Sequence, residues 1–183
     1  MGYAAGVHRH AANALTLLRI ALAPAFACVV VAAERGASGW AAALVFAVVA
    51  GSDVVDGRLA RRFGTASRAG LAFDHGADIL FLLTALGTYA ALDAIPWWVP
   101  AAVAGSFACY VLDALRPPRV PPRWGADRLG HFGGIGNWVM VGVLIGNRTV
   151  GLGWLPPPVM QALCAVVLLY SVAAIVGRLA ARF

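Results

Sequence analysis

Four aspartates crowd into 26 residues of this 183-residue chain: Asp53, Asp56, Asp74 and Asp78, half of its eight acidic residues. On helices, Asp53 and Asp56 are three apart and Asp74 and Asp78 four apart, so each pair shares a face. Between them, Phe63-Gly64-Thr65-Ala66-Ser67 contains turn formers. The simplest geometry is two antiparallel helices joined by a short turn, with both pairs pointing into one gap. Four carboxylates there would repel one another, and would take up protons unless their charge were offset. Two divalent cations offset it. Oxygen ligands without a His/Cys cluster point to Mg2+ or Mn2+ rather than Zn2+. Two such ions about 4 Å apart suit in-line displacement at phosphorus. Magnesium prefers to complete its shell with substrate phosphates, which implies a diphosphate substrate.

The elements that must carry these residues belong to a membrane protein. Hydrophobic residues make up 61% of the chain and charged residues only 12%, against roughly 45–50% and about 25% in ordinary globular chains. So few charges cannot cover a water-facing surface, which excludes a soluble enzyme, a disordered chain and a nucleic-acid-binding module. The net charge of +6 then favours anionic lipid as a partner. Taking about 20 apolar residues per crossing, the expected fold is all-α, a single domain over 1–183 with six transmembrane helices. The spans fall near 15–33, 40–60, 70–92, 95–115, 133–148 and 156–177. Residues 1–12 are read as a short helix on the membrane surface or a frayed end. They lack a short apolar region with a cleavage site, so no removed signal peptide is expected.

The arginines set the orientation. With the N-terminus in the cytoplasm, twelve of the fourteen fall on that side, Arg9 and Arg19 among them; Arg35 and Arg148 lie opposite. This positive-inside bias turns the aspartates toward the cytoplasm, in a bacterial inner membrane on this reading. Pro117–Arg128 is too proline-rich for a helix interior and is read as a basic cytoplasmic loop. Trp97, Trp98 and Trp154 sit near the external ends, where aromatic belts form. Gly142-x-x-x-Gly146 and the run Gly133, Gly134, Gly136 permit close helix packing, within the chain or in a homodimer. Cys28, Cys109 and Cys164 stand singly and read as small hydrophobes. Pairing of the aspartates with Arg58, Arg61, Arg62 and Arg68 is the plain structural alternative. It suits one pair better than four, because intramembrane acids are costly and usually functional.

The pattern D-x-x-D-G-x-x-A-R, eight residues, then G-x-x-x-D-x-x-x-D, over residues 53–78, resembles the signature of the CDP-alcohol phosphotransferases at every fixed position. Length and span number are also similar. The resemblance implies a divalent-metal-dependent phosphotransferase that displaces CMP from a CDP-linked donor by attack of an acceptor hydroxyl. By position, Asp53, Asp56, Asp74 and Asp78 look like ligands of two cations, Mg2+ or Mn2+, and Asp78 like the general base. Gly57 and Ala60 look like the small residues that let the nucleotide approach, and Arg61 like a partner of phosphate or acids. Asp53 and Asp56 belong with these as donor-binding residues.

Two branches compete for the substrate. Asn13, Thr16 and Arg19 at three-residue steps, with Pro24 and the run Leu59–Arg62, resemble bacterial phosphatidylglycerophosphate synthases. That implies CDP-diacylglycerol as donor and a polyol phosphate such as glycerol-3-phosphate as acceptor, in phospholipid biosynthesis. Phe73-Asp74-His75-Gly76 is instead similar to the choline and ethanolamine phosphotransferases, which implies transfer of a phospho-head-group to diacylglycerol. A phosphorylated acceptor needs cations outside the metal site. Arg68, His75, Arg116, Arg119 and Arg128 are the candidates, with Arg123 and His131 close by. A prenyltransferase would carry two aspartate motifs on a longer chain. A transporter or other non-enzymatic membrane protein would scatter polar residues through several spans rather than gather them at one edge.

Overall fold

Runs of about twenty apolar residues, broken by Gly and Pro, fold as helices, and no strand forms among the described residues. The computed structural model describes residues 2–63, 68–114 and 124–180, with side chains over 14–52, 73–112 and 133–180. The helices are α1 (Gly2–Glu34), α2 (Trp40–Phe63), α3 (Arg68–Ala91), α4 (Trp98–Ala114), α5 (Trp124–Leu144) and α6 (Pro157–Ala180). Ala14–Glu34 within α1, and α6, are long and apolar enough to cross a bilayer; Trp40–Ser52 and Trp98–Leu112 are shorter apolar stretches.

Two sequence expectations change. Residues 2–12 form neither a separate surface helix nor a frayed end; they run into the first apolar segment as one 33-residue helix. Trp124–Arg128 belongs to α5 rather than to a loop. Proline disfavours helix only where its ring would meet a preceding turn, and the last proline here, Pro122, lies ahead of the helix start. At its other end α5 passes into a π-helical turn, Ile145–Thr149, where the Val150 N–H donates to the Ile145 carbonyl at 2.8 Å.

The chain divides into two compact units, Met1–Ala85 and Leu86–Phe183, the boundary falling inside α3. In the first, buried positions on α1 recur at Thr16, Arg19, Ala23, Phe26 and Val30, steps of three and four that define one helix face. Ala42 and Val49 of α2 and Phe81, Leu82 and Ala85 of α3 complete the apolar core. The Phe26 and Phe81 rings meet with centroids 5.2 Å apart and planes inclined by 58°, within the tilted geometry that aromatic pairs prefer. The α1 C-terminus turns through Gly36 at φ +98°. There the Gly36 and Ala37 N–H groups donate to the Ala33 and Ala32 carbonyls, a Schellman closure that needs a left-handed residue.

In the second unit, α6 packs against α4 and α5. Tyr170 of α6 lies over Gly133 and Gly136 of α5, and its hydroxyl donates to Asn137 Oδ1. These glycines thus serve packing within the chain, one of the two uses their spacing allows. A Cβ on Gly133 would lie 2.8 Å from the Tyr170 ring, whereas nothing lies within 4 Å of one on Gly134. Gly133→Ala is therefore expected to destabilise by about 1–3 kcal/mol through overpacking. Gly134→Ala should be neutral or stabilising, by up to ~1 kcal/mol of helix propensity. Unfolding in detergent followed by circular dichroism checks the pair; equal midpoints would remove this close approach from what holds α5 to α6. Trp97, Trp98 and Trp154 are exposed, and the three cysteines are free thiols.

Candidate active site

Asp74 and Asp78 lie one turn apart on α3, on the stripe that continues through Phe81 and Ala85 to the core. Opposite them, the α1 stripe ends in its two polar members, Thr16 and Arg19. The packing that brings Phe26 onto Phe81 thereby brings Arg19 onto the two acids. Its Nη2 is 2.5 Å from Asp74 Oδ1 and its Nη1 donates to Asp78 Oδ1 at 2.6 Å. One planar guanidinium thus engages one oxygen of each carboxylate, the fork geometry that distinguishes Arg from Lys. Thr16 Oγ1 makes a longer contact, 3.5 Å, to the same Asp74 oxygen.

The burial is asymmetric. The Arg19 side chain is 0% exposed, while Asp74 and Asp78 keep 21% and 19%. Arg19 lies five residues inside the apolar segment that starts at Ala14, about 7–8 Å along the helix axis. A charge at such a depth is costly unless it is paired, and two carboxylates pair it. Counted by side of the membrane, Arg19 is one of the cytoplasmic charges that set topology. Its side chain is instead packed inside the first unit against two of the four aspartates. The sequence signal for this was the three-residue step Asn13, Thr16, Arg19, which sets Arg19 on one helix side with two other polar residues.

The other expected residues fall as follows. Asp53, Asp56, Gly57, Ala60 and Arg61 lie on α2, Arg68 at the start of α3 and Arg128 on α5, but their side chains are outside the described residues. Arg116 and Arg119 are outside them altogether. His75 follows Asp74 on α3 and is exposed. Among the described residues no three His, Cys, Asp or Glu side chains gather as a metal site. What the structure does bring together is a carboxylate pair that already holds a cation, the guanidinium, through oxygen atoms. Partly exposed hard-oxygen donors on one helix face fit a divalent ion of the Mg2+ or Mn2+ kind. Asp74 and Asp78 are the members of such a donor set that lie among the described side chains.

The chain is similar to named proteins along much of its length. It is 34% identical over 150 residues to a candidate cardiolipin synthase of Mycobacterium tuberculosis, covering 79% of this chain and 66% of that protein. It is 36% identical over 90 residues to the CMP-forming cardiolipin synthase of Streptomyces coelicolor, 48% of this chain and 41% of that one. A candidate phosphatidylglycerophosphate synthase of Mycobacterium tuberculosis is 32% identical over 119 residues, 62% of this chain and 57% of that one. The chain thus spans just under two thirds of the length of the first of these relatives. The profile of the CDP-alcohol phosphatidyltransferases matches residues 9–173, which include all four aspartates as well as Thr16 and Arg19, and the chain belongs to that family.

Proposed function

We propose that this protein transfers a phosphatidyl group from CDP-diacylglycerol to a hydroxyl of a polyol phosphate, glycerol-3-phosphate being the favoured example, and releases CMP. The observation that carries the proposal is the Asp74–Asp78 pair gathered on one cation, inside a family signature that continues through Asp53 and Asp56. On this reading all six helices cross a bacterial inner membrane and the aspartates open toward the cytoplasm. Asp53, Asp56, Asp74 and Asp78 hold two divalent cations. Such ions, when bound, neutralise the diphosphate and stabilise the departing phosphate oxygen. Gly57 and Ala60 admit the nucleotide against α2, and Arg61 takes a phosphate oxygen. The acceptor oxygen attacks the phosphorus that bears the diacylglycerol and its proton passes to Asp78. The bond from that phosphorus to the bridging oxygen breaks, and CMP leaves with the electron pair. No covalent enzyme intermediate is needed. Arg68, His75, Arg116, Arg119 and Arg128 form the cationic surround for the acceptor's own phosphate.

A second reading has support from the relatives named cardiolipin synthase: the acceptor hydroxyl would then be that of phosphatidylglycerol. Both readings share donor and chemistry. The test supplies purified protein with radiolabelled CDP-diacylglycerol and, in turn, glycerol-3-phosphate, inositol phosphate, inositol, serine or phosphatidylglycerol. CDP-choline with diacylglycerol forms a separate arm, and lipid products are resolved by chromatography. The expected result is CMP release that depends on glycerol-3-phosphate, with a matching phosphatidyl product. Product from phosphatidylglycerol alone would establish the second reading. Product from the CDP-choline arm alone would overturn both.

A further inference from the structure

We propose that Arg19 is a positioning residue for the metal ligands, the group on α1 that fixes the relative placement of the Asp74 and Asp78 carboxylates on α3. The inference rests on the metal-site reading above and extends it to a residue outside the 53–78 signature. Its basis is geometric. Two terminal nitrogens of one rigid plane reach one oxygen of each acid, at 2.5 and 2.6 Å. A carboxylate offers two oxygens and about four lone-pair sites, so each can serve the guanidinium and a cation together. Two like charges one helix turn apart otherwise repel, and their side chains would choose separate rotamers. The fork removes that freedom. Arg19 is itself held, because it is fully buried on the α1 face that continues into Ala23, Phe26 and Val30. Partners that orient metal ligands in this way typically matter 10–100-fold in metal affinity.

A merely structural or merely electrostatic arginine makes different predictions, and these set the test. The full chain is purified in detergent, stripped of metal and titrated with Mn2+ alone, with the free aqueous ion read by its electron paramagnetic resonance signal. Wild type, Arg19→Lys, Arg19→Gln and Asp53→Asn are compared, with unfolding midpoints measured on the same samples. The expected result is Mn2+ binding by wild type, weakened about 10–100-fold in Arg19→Lys. The ammonium keeps the charge but cannot span both acids in one plane. Arg19→Gln should lose at least as much. Should Arg19→Gln fail to fold, Arg19→Lys decides alone. Wild-type affinity in Arg19→Lys would overturn the inference, since charge would then suffice. Tighter binding in Arg19→Gln would overturn it differently, making Arg19 a competitor of the ion. In both cases the metal reading survives, because wild type binds and Asp53→Asn weakens binding. No Mn2+ binding by wild type at millimolar ion overturns the metal reading, and the positioning role with it.

Discussion

Asp78→Asn is expected to lower CMP release from CDP-diacylglycerol by about 10²–10⁴-fold, the usual contribution of a positioned general base, while leaving the helices intact. The substitution is nearly isosteric. The asparagine side chain keeps an oxygen that can accept from Arg19 Nη1, where Asp78 Oδ1 now sits at 2.6 Å. Asp74 still pairs with Arg19 at 2.5 Å, so the buried guanidinium keeps an anionic partner and the α1–α3 seam keeps its polar end. What disappears is an anionic oxygen that could bind a cation and accept the acceptor's proton. The measurement is turnover at saturating donor, beside circular dichroism and the unfolding midpoint of the same preparation. His75→Ala, measured at saturating acceptor, is the comparison, because a residue of the acceptor pocket alters the acceptor KM whereas a base alters kcat. His75 follows Asp74 on α3, is exposed, and is the neighbouring side chain whose chemistry could also accept a proton. Loss of kcat in Asp78→Asn, with His75→Ala raising the acceptor KM but keeping kcat, makes the Asp78 carboxylate essential as ligand or base and denies His75 the role of base. Full activity in Asp78→Asn would remove it from the chemistry.

Length of apolar runs located the helices well, because a continuous run of about twenty apolar residues can satisfy its backbone within one segment only as a helix, a barrel strand being shorter and alternating. Proline density does not locate the start of α5 at Trp124, because what limits a helix start is the position of the last proline, Pro122. Gly133 and Gly136 were legible as sites of close approach, but not their partner Tyr170, since no local rule pairs residues on different helices. Arg19 is the instructive case. Counting charges by side of the membrane treats each arginine as an independent vote. Burial of the stripe Thr16, Arg19, Ala23, Phe26, Val30 puts this one on a packed face, where a guanidinium must find an anion; so apolar a run does not single that face out in the sequence. The identity of that anion needed the α1–α3 pairing, which the structure supplies through Phe26 and Phe81.

Arg19 also changes the charge balance, and with it the expected response to metal removal. In the proposed four-aspartate site the carboxylates would carry −4 and the guanidinium +1, so the group would stand at −3. Two divalent ions would add four positive charges, leaving the loaded site at +1 rather than neutral, and Arg61 would raise it further. A positive site favours an anionic ligand, and the diphosphate of a CDP-linked donor is one. Ion binding and nucleotide binding should therefore help each other, by the same factor in either direction. Activity is expected to fall to background in excess EDTA and to return with Mg2+ or Mn2+ but not with Ca2+, whose larger, more flexible shell suits the compact in-line geometry poorly. CDP should also tighten Mn2+ binding, by about 5–150-fold if the coupling lies in the usual range of roughly 1–3 kcal/mol. The check is a Mn2+ titration with and without CDP, paired with a CDP titration with and without Mn2+. Turnover that persists in chelator would overturn the metal mechanism. Independent binding of ion and nucleotide would show instead that the excess positive charge is neutralised by something other than the donor's diphosphate.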